Sequence, residues 1–285
     1  MRILPFKPIV TNNYIDIPNC YEYGPSVVNG RVFWTSGLNI DTITSIRLNG
    51  TKPSVPYYRT DKLVADPYAY KDQWRYIVYH TIGELTPNKL GNGVGFYIAD
   101  GNGNPIAKTS KMLINQNGMG TYGTGQPSVT KLGSQLIMFV REDGPGGVNT
   151  IGAYKLTSDG RNVTTKIPFI NIYGTEILED GASPEIFVYN NKLHMLISGG
   201  GPVGLRTYEY AAGKLRRETE LEQSINGFYA QSTISLSNII DGAGIMRGPQ
   251  NLPVVVDRHL TIWYGAGNGA DAGTWRLEKG YIKLP

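Results

Sequence analysis

The chain has 285 residues, a formal net charge of +4, and one cysteine beside 36 glycines, 17 prolines and 19 tyrosines. A single thiol excludes an intrachain disulfide framework. A charge this small gives no basis for a nucleic-acid partner, and the one basic cluster, Lys214-Leu215-Arg216-Arg217, reads as a solvated strand end. Abundant glycine and tyrosine with only 18 % charged residues point to many short strands and tight turns. No stretch is long enough to cross a bilayer as a helix, and Met1–Pro8 is too short an apolar run for a secretory signal. The expectation is therefore no membrane insertion, with the location left open and a virion among the candidates.

In chain order, five segments share one pattern: a polar-Pro step, an apolar stretch, a small turn, then a stretch of β-branched and aromatic residues. Gly24-Pro25-Ser26-Val27-Val28 leads through Asn29-Gly30 to Val32-Phe33-Trp34. Asp66-Pro67-Tyr68-Ala69-Tyr70 leads through Lys71-Asp72 to Tyr76-Ile77-Val78-Tyr79. Gln126-Pro127-Ser128-Val129 leads through Leu132-Gly133 to Leu136–Val140. Ser183-Pro184-Glu185-Ile186-Phe187-Val188 leads through Asn190-Asn191 to Leu193–Ile197. Leu252-Pro253-Val254-Val255-Val256 leads through Asp257-Arg258 to Leu260–Tyr264. A hairpin that recurs along a chain marks a radial repeat, and this number of copies predicts an all-β, five-bladed β-propeller forming a single domain over residues 1–285.

Second hairpins complete the blades. Asp100–Pro105 joins Gly95–Ala99 to Ile106–Lys108, Ser158–Asn162 joins Ile151–Lys155 to Thr164–Lys166, and Ala212-Gly213 follows Arg206–Tyr210. Strand-like segments at both ends, around Ile9-Val10 and over Gly273–Leu277 and Tyr281–Leu284, are expected to share one blade and close the ring.

The inner strands of such a ring begin around one mouth. Those positions are Gly24, Asp66, Gln126, Ser183 and Leu252, each before a proline that fixes how the strand starts. Polar side chains around a concave mouth are the usual means of fixing a polar ligand. Tyr23 and Tyr122 fall just before inner strands, where an aromatic face can stack on a sugar ring. With Arg247 as a partner for hydroxyls, the candidate ligand-binding set is Tyr23, Asp66, Tyr122, Gln126, Ser183 and Arg247. Trp34 and Trp263 read as packing between blades. His80, His194 and His259 lie on separate repeats without ligand spacing, and the Asp100–Asn104 segment has Lys111 where a calcium loop needs its closing glutamate. No metal and no cofactor is expected.

This pattern, with the Tyr264-Gly265-Ala266-Gly267 ending of the last copy, resembles the five-bladed propellers of the arabinanase, β-xylosidase and invertase type, glycoside hydrolase family 43 above all. The resemblance implies three carboxylates at inner-strand starts: a base aspartate before the first blade's proline, an aspartate that tunes the acid before the third, and an acid glutamate two residues before the fourth. Gly24, Gln126 and Ala182 stand at those places. Hydrolysis needs a proton donor and a second carboxylate. The first expectation is therefore a propeller that recognises a glycan, or serves as an assembly surface, without catalysis: a virion or cell-surface component partnered by glycan or by neighbouring surface proteins. The alternative is a hydrolase with relocated acids, Asp66 as base or nucleophile and Glu185 as acid. A third reading is a structural module whose mouth is plugged by its own side chains.

Overall fold

The hairpins form because their turns carry the residues that tolerate left-handed backbone. Asn29 and Gly30, Asn190 and Asn191, and Ala212 and Gly213 all have positive φ, the geometry whose twist matches that of paired strands. In this computed structural model, residues 4–8, 23–36, 42–48, 57–59, 63–83, 93–107, 113–115, 123–197, 204–218, 223–226, 239–268 and 271–284 are described.

They build five antiparallel blades. Blade 1 runs Tyr23–Val28, Arg31–Ser36, Thr42–Arg47 and Tyr57–Arg59 from hub to rim. Blade 2 runs Leu63–Asp72, Arg75–Gly83 and Gly93–Ala99, with Pro105–Ala107 and Ile114–Asn115 on its edge. Blade 3 runs Gly125–Leu132, Gln135–Asp143, Asn149–Leu156 and Val163–Ile167. Blade 4 runs Pro184–Tyr189, Lys192–Ile197, Gly204–Ala211 and Lys214–Arg217. Blade 5 runs Ile239–Arg247, His259–Asn268, Asp271–Lys283 and, as its outer strand, Leu4–Pro8 from the other end of the chain. The expected sharing of a blade by the two ends is what closes the ring, through Phe6 opposite Ile282. Ile9-Val10, named for that strand, lies outside the described residues. The basic cluster Lys214–Arg217, read as a solvated strand end, forms the outer strand of blade 4.

Period-two alternation gives each blade two buried faces. Val27, Val32 and Trp34 of blade 1 pack against Trp263 and Leu277 of blade 5, while Val28 and Phe33 pack against Val64, Ala69 and Tyr76 of blade 2. The other three interfaces have their own apolar clusters, blade 2 on 3, 3 on 4, and 4 on 5. Each inner strand touches the next, round from Tyr23–Val28 to Ile239–Arg247 and back.

One expectation fails. The inner strand of blade 5 is Ile239–Arg247, not the proline-led copy at Leu252. After Arg247 the chain makes a tight excursion, closed by Gly248 N–H to the Leu252 carbonyl, and Val255–Val256 then rejoins the sheet below. Asn251, at the tip, takes the Lys71 N–H and donates to the Lys71 carbonyl at the lower end of blade 2. Pro253 therefore stands at the foot of the hub, bridged to Arg247, and Leu252 is exposed. Gly244 marks the reason: a Cβ there would lie 1.8 Å from the Pro25 carbonyl oxygen, so blade 5 meets blade 1 backbone to backbone.

Candidate functional site: a two-tier hub pocket

The four retained polar-Pro steps meet at one mouth. Gly24, Asp66, Gln126 and Ser183 have φ between 49° and 59°, a region that costs non-glycine residues of order 1 kcal/mol or more and concentrates at functional sites. At the first three of them the strand register shifts, which aims the residue out of the pleat. Together with Pro25, Pro67, Tyr68, Pro127, Pro184 and Glu185 they line a pocket of about 340 Å³, part of it open to solvent.

The upper tier is a relay of hydrogen bonds from blade to blade. Asp66 N–H donates to Thr35 Oγ1 (2.8 Å), the Thr81 hydroxyl donates to Asp66 Oδ2 (3.0 Å), Gln126 N–H donates to Thr81 Oγ1 (2.8 Å), and Ser183 N–H donates to Gln126 Oε1 (2.8 Å). The three backbone N–H bonds each tie a strained strand start to the preceding blade, and the Thr81–Asp66 bond joins them within blade 2. Burial pushes the Asp66 carboxyl above its usual range, against the Thr81 hydrogen bond and the charge of Arg141, which favour the ionised form. The bare Gly24 leaves Asp66 its room: a Cβ on residue 24 would lie 3.3 Å from Asp66 Oδ1.

The lower tier is formed by the residues that follow the prolines. Ser26, Tyr68, Ser128 and Glu185 are all buried. Ser26 Oγ accepts from Ala69 N–H, and Ser128 Oγ accepts from Ile186 N–H. Glu185 takes the Ser128 hydroxyl on one oxygen (3.3 Å) and Ile245 N–H on the other (3.3 Å). Arg247 completes the tier from blade 5. It is 1 % exposed, donates to Ser26 Oγ (2.6 Å), lies 3.8 Å over the Tyr68 ring, and sets its Nε 3.9 Å from Glu185 Oε1. Burial lifts the Glu185 carboxyl to about 7, although Arg247, Ile245 N–H and Ser128 all favour its charge.

Of the residues named from sequence, Asp66, Gln126, Ser183 and Glu185 line the pocket. Arg247 does not; it is sealed beneath the floor, because its guanidinium is taken up by Ser26, Tyr68 and Glu185. Tyr122 and the Tyr23 side chain lie outside the described residues. Other acids near the strand ends are engaged elsewhere. Glu142 bonds Tyr154 and Lys166, Asp143 accepts Gly123 N–H, and Glu179 bridges Arg206 and Arg217. Sequence reasoning missed Thr35, Thr81, Ser26, Tyr68 and Ser128. A signal existed for the last three, since each directly follows a strand-start proline; Thr35 and Thr81 lie near the ends of second strands and each accepts an N–H from the next blade.

The arrangement can be compared with known proteins. No sequence-family model matches this chain, and no curated protein sequence does. Solved structures do. The GH43_1 enzyme from Xanthomonas citri complexed with xylose aligns with a TM-score of 0.60 at 11 % identity, covering 94 % of this chain and 90 % of that one. The α-L-arabinofuranosidase from Podospora anserina in complex with cellotriose gives 0.59 at 12 %, covering 100 % and 98 %. A GH62 hydrolase in complex with xylotriose gives 0.60 at 12 %, covering 98 % and 96 %. The fold is that of the glycoside hydrolase five-bladed propellers. At this identity the likeness speaks for the fold, and the chemistry has to be read from the hub itself. That hub presents two carboxyls, one amide and the hydroxyls of Tyr68 and Ser183 around a small opening.

Proposed function

We propose that this propeller recognises a glycan at its hub without hydrolysing it. The disposition of the two acids that line the pocket carries the reading. Hydrolysis requires one carboxyl to protonate the leaving oxygen and another to activate water or attack. Glu185 turns its oxygens to Ser128, Ile245 and Arg247, so it serves the lower tier as an acceptor. That leaves Asp66, which lines the pocket beside Gly24. The places that the resemblance assigns to catalytic carboxylates hold Gly24, Gln126 and Ala182. Support for a glycan as partner comes from the similar structures, which are complexes with xylose, cellotriose and xylotriose. Display on a virion or cell surface belongs to the same proposal, and detection of the chain in purified particles is its test.

The experiment offers the intact protein a glycan array and a panel of aryl glycosides. Retention of a glycan with no aglycone release is the expected result. Release that disappears in both Asp66→Asn and Glu185→Gln would overturn it.

That outcome would establish the second reading, hydrolysis with relocated acids. One observation favours it: Asp66 and Glu185 share one pocket, and a Glu185 carboxyl at about 7 keeps a proton available near neutrality.

A further inference from the structure

The mouth offers few backbone donors and no cationic side chain. Four of its ten lining residues are prolines, which have no N–H. Three of the four residues ahead of those prolines already donate their N–H within the upper tier, to Thr35, Thr81 and Gln126. Against this stands the Asp66 carboxylate, with no lysine or arginine among the lining residues and the Glu185 oxygens taken up in the lower tier. The cations felt by the two acids, Arg141 and Arg247, are not among the residues that line the mouth. Tyr68 adds an independent pointer to a ligand. It lines the pocket, is 2 % exposed, and its hydroxyl faces Ser128 without reaching hydrogen-bond geometry, so a buried polar atom at the floor has no partner. Such an atom is costly to leave unmet.

A site of this kind rewards a ligand that brings donors and positive charge, and penalises one that brings a carboxylate or sulfate. Resting on the glycan reading above, we propose that the hub selects an ammonium-bearing ligand, in the sugar series a free amino sugar, with Asp66 as the counter-charge and the Tyr68 hydroxyl as a further acceptor. Asp66 is suited to it: its Oδ2 is fixed by Thr81 while its Oδ1 lies beside the bare Gly24. A charge-assisted hydrogen bond in a half-desolvated pocket is roughly twice as strong as a neutral one.

The test titrates the intact protein with D-glucosamine, D-glucose, D-glucuronate and cyclohexylammonium at slightly acid pH, following amide chemical shifts at low and at physiological salt. Glucosamine is expected to bind about tenfold more tightly than glucose, with glucuronate weakest, and the advantage is expected to shrink as salt screens the pair. In Asp66→Asn the glucosamine-to-glucose ratio should fall to near unity. If that variant does not fold, the salt series and the glucuronate comparison on the unaltered protein decide. Equal binding of glucose and glucosamine, or preference for glucuronate, overturns the amine preference and leaves glycan recognition standing. Binding of cyclohexylammonium with no sugar bound keeps the amine preference and removes glycan recognition. Binding of no probe removes both.

Discussion

Arg247 and Glu185, from the fifth and fourth blades, face each other at 3.9 Å beneath the pocket, both nearly sealed from solvent. Through Ser26 and Ser128 this pair links the first and third blades as well, and Tyr68 of the second is stacked on the guanidinium. The hub is thus held by one buried ion pair with hydrogen-bonded neighbours. The floor of the mouth is closed by these side chains, while the space above it stays open.

Removing one partner leaves a buried charge alone, which typically costs about 3–5 kcal/mol. Arg247→Met should therefore lower stability to urea by that order and raise the Glu185 pKa further, since Arg247 is the largest influence favouring its charge. The double variant Arg247→Met with Glu185→Gln should recover much of the loss. Equal losses in the single and double variants would show that the pair is not coupled.

Two buried groups give opposite pH slopes. Glu185 rises from 4.5 to about 7. Between those values the folded state keeps a proton that the unfolded chain has lost, so this contribution is largest below 4.5 and falls as pH rises to 7. His80 drops from 6.5 to about 4, burial outweighing its bond to the Thr81 carbonyl. The unfolded chain takes up that proton first, so stability falls as pH drops from 6.5 toward 4. Asp66, raised, acts in the first sense and His194, lowered, in the second. The melting temperature should be nearly level from about 4.5 to 6.5, where the slopes overlap. His80→Phe should expose the acid slope, with stability rising on acidification by on the order of 3 kcal/mol at most. A level profile in that variant would contradict the assignment.

Thr81 is the joint of the upper tier, donating to Asp66 and accepting from Gln126. Thr81→Val preserves shape and leaves the Gln126 N–H without its acceptor. A loss of about 1–3 kcal/mol is expected, with Asp66 titrating still higher because a hydrogen bond that favours its charge is gone. Carbon-detected NMR titration of the Asp66 carboxyl reads the second effect, which a merely structural role for Thr81 would not produce.

Gly244→Ala places a methyl 1.8 Å from the Pro25 carbonyl oxygen. Backbone cannot yield as a flexible side chain does, so blade 5 should separate from blade 1 at a cost above about 3 kcal/mol. Dye binding to newly exposed apolar surface, with loss of near-ultraviolet dichroism from Trp34 and Trp263 at that interface, would register it. An unchanged melting curve would refute the close approach.

The first four hairpins were legible because their causes are local. Turn residues such as Asn29-Gly30 and Asn190-Asn191 bend the chain, and alternation of apolar residues does the rest. The prolines even announced the mouth, and the residues next to them proved to be its two tiers. The fifth copy misled for the same reason. Leu252–Tyr264 contains a genuine local hairpin, Val255 opposite Leu260, yet it hangs below the hub. The strand that occupies the hub in blade 5, Ile239–Arg247, starts without a proline and is marked by Gly244, whose meaning appears only against Pro25 of another blade.

The chain by itself determined its hairpins, their number of repeats, and the polar-Pro steps that open four inner strands, since turn preference and side-chain alternation act over a few residues. Only the assembled wheel decided which strand of the last blade lies at the axis, that Arg247 is sealed under the floor, and that Glu185 answers to two other blades. Both faces of every blade are buried against neighbours, so apolar pattern cannot distinguish hub from rim; position on the radius is fixed by contacts between segments from 31 to 221 residues apart.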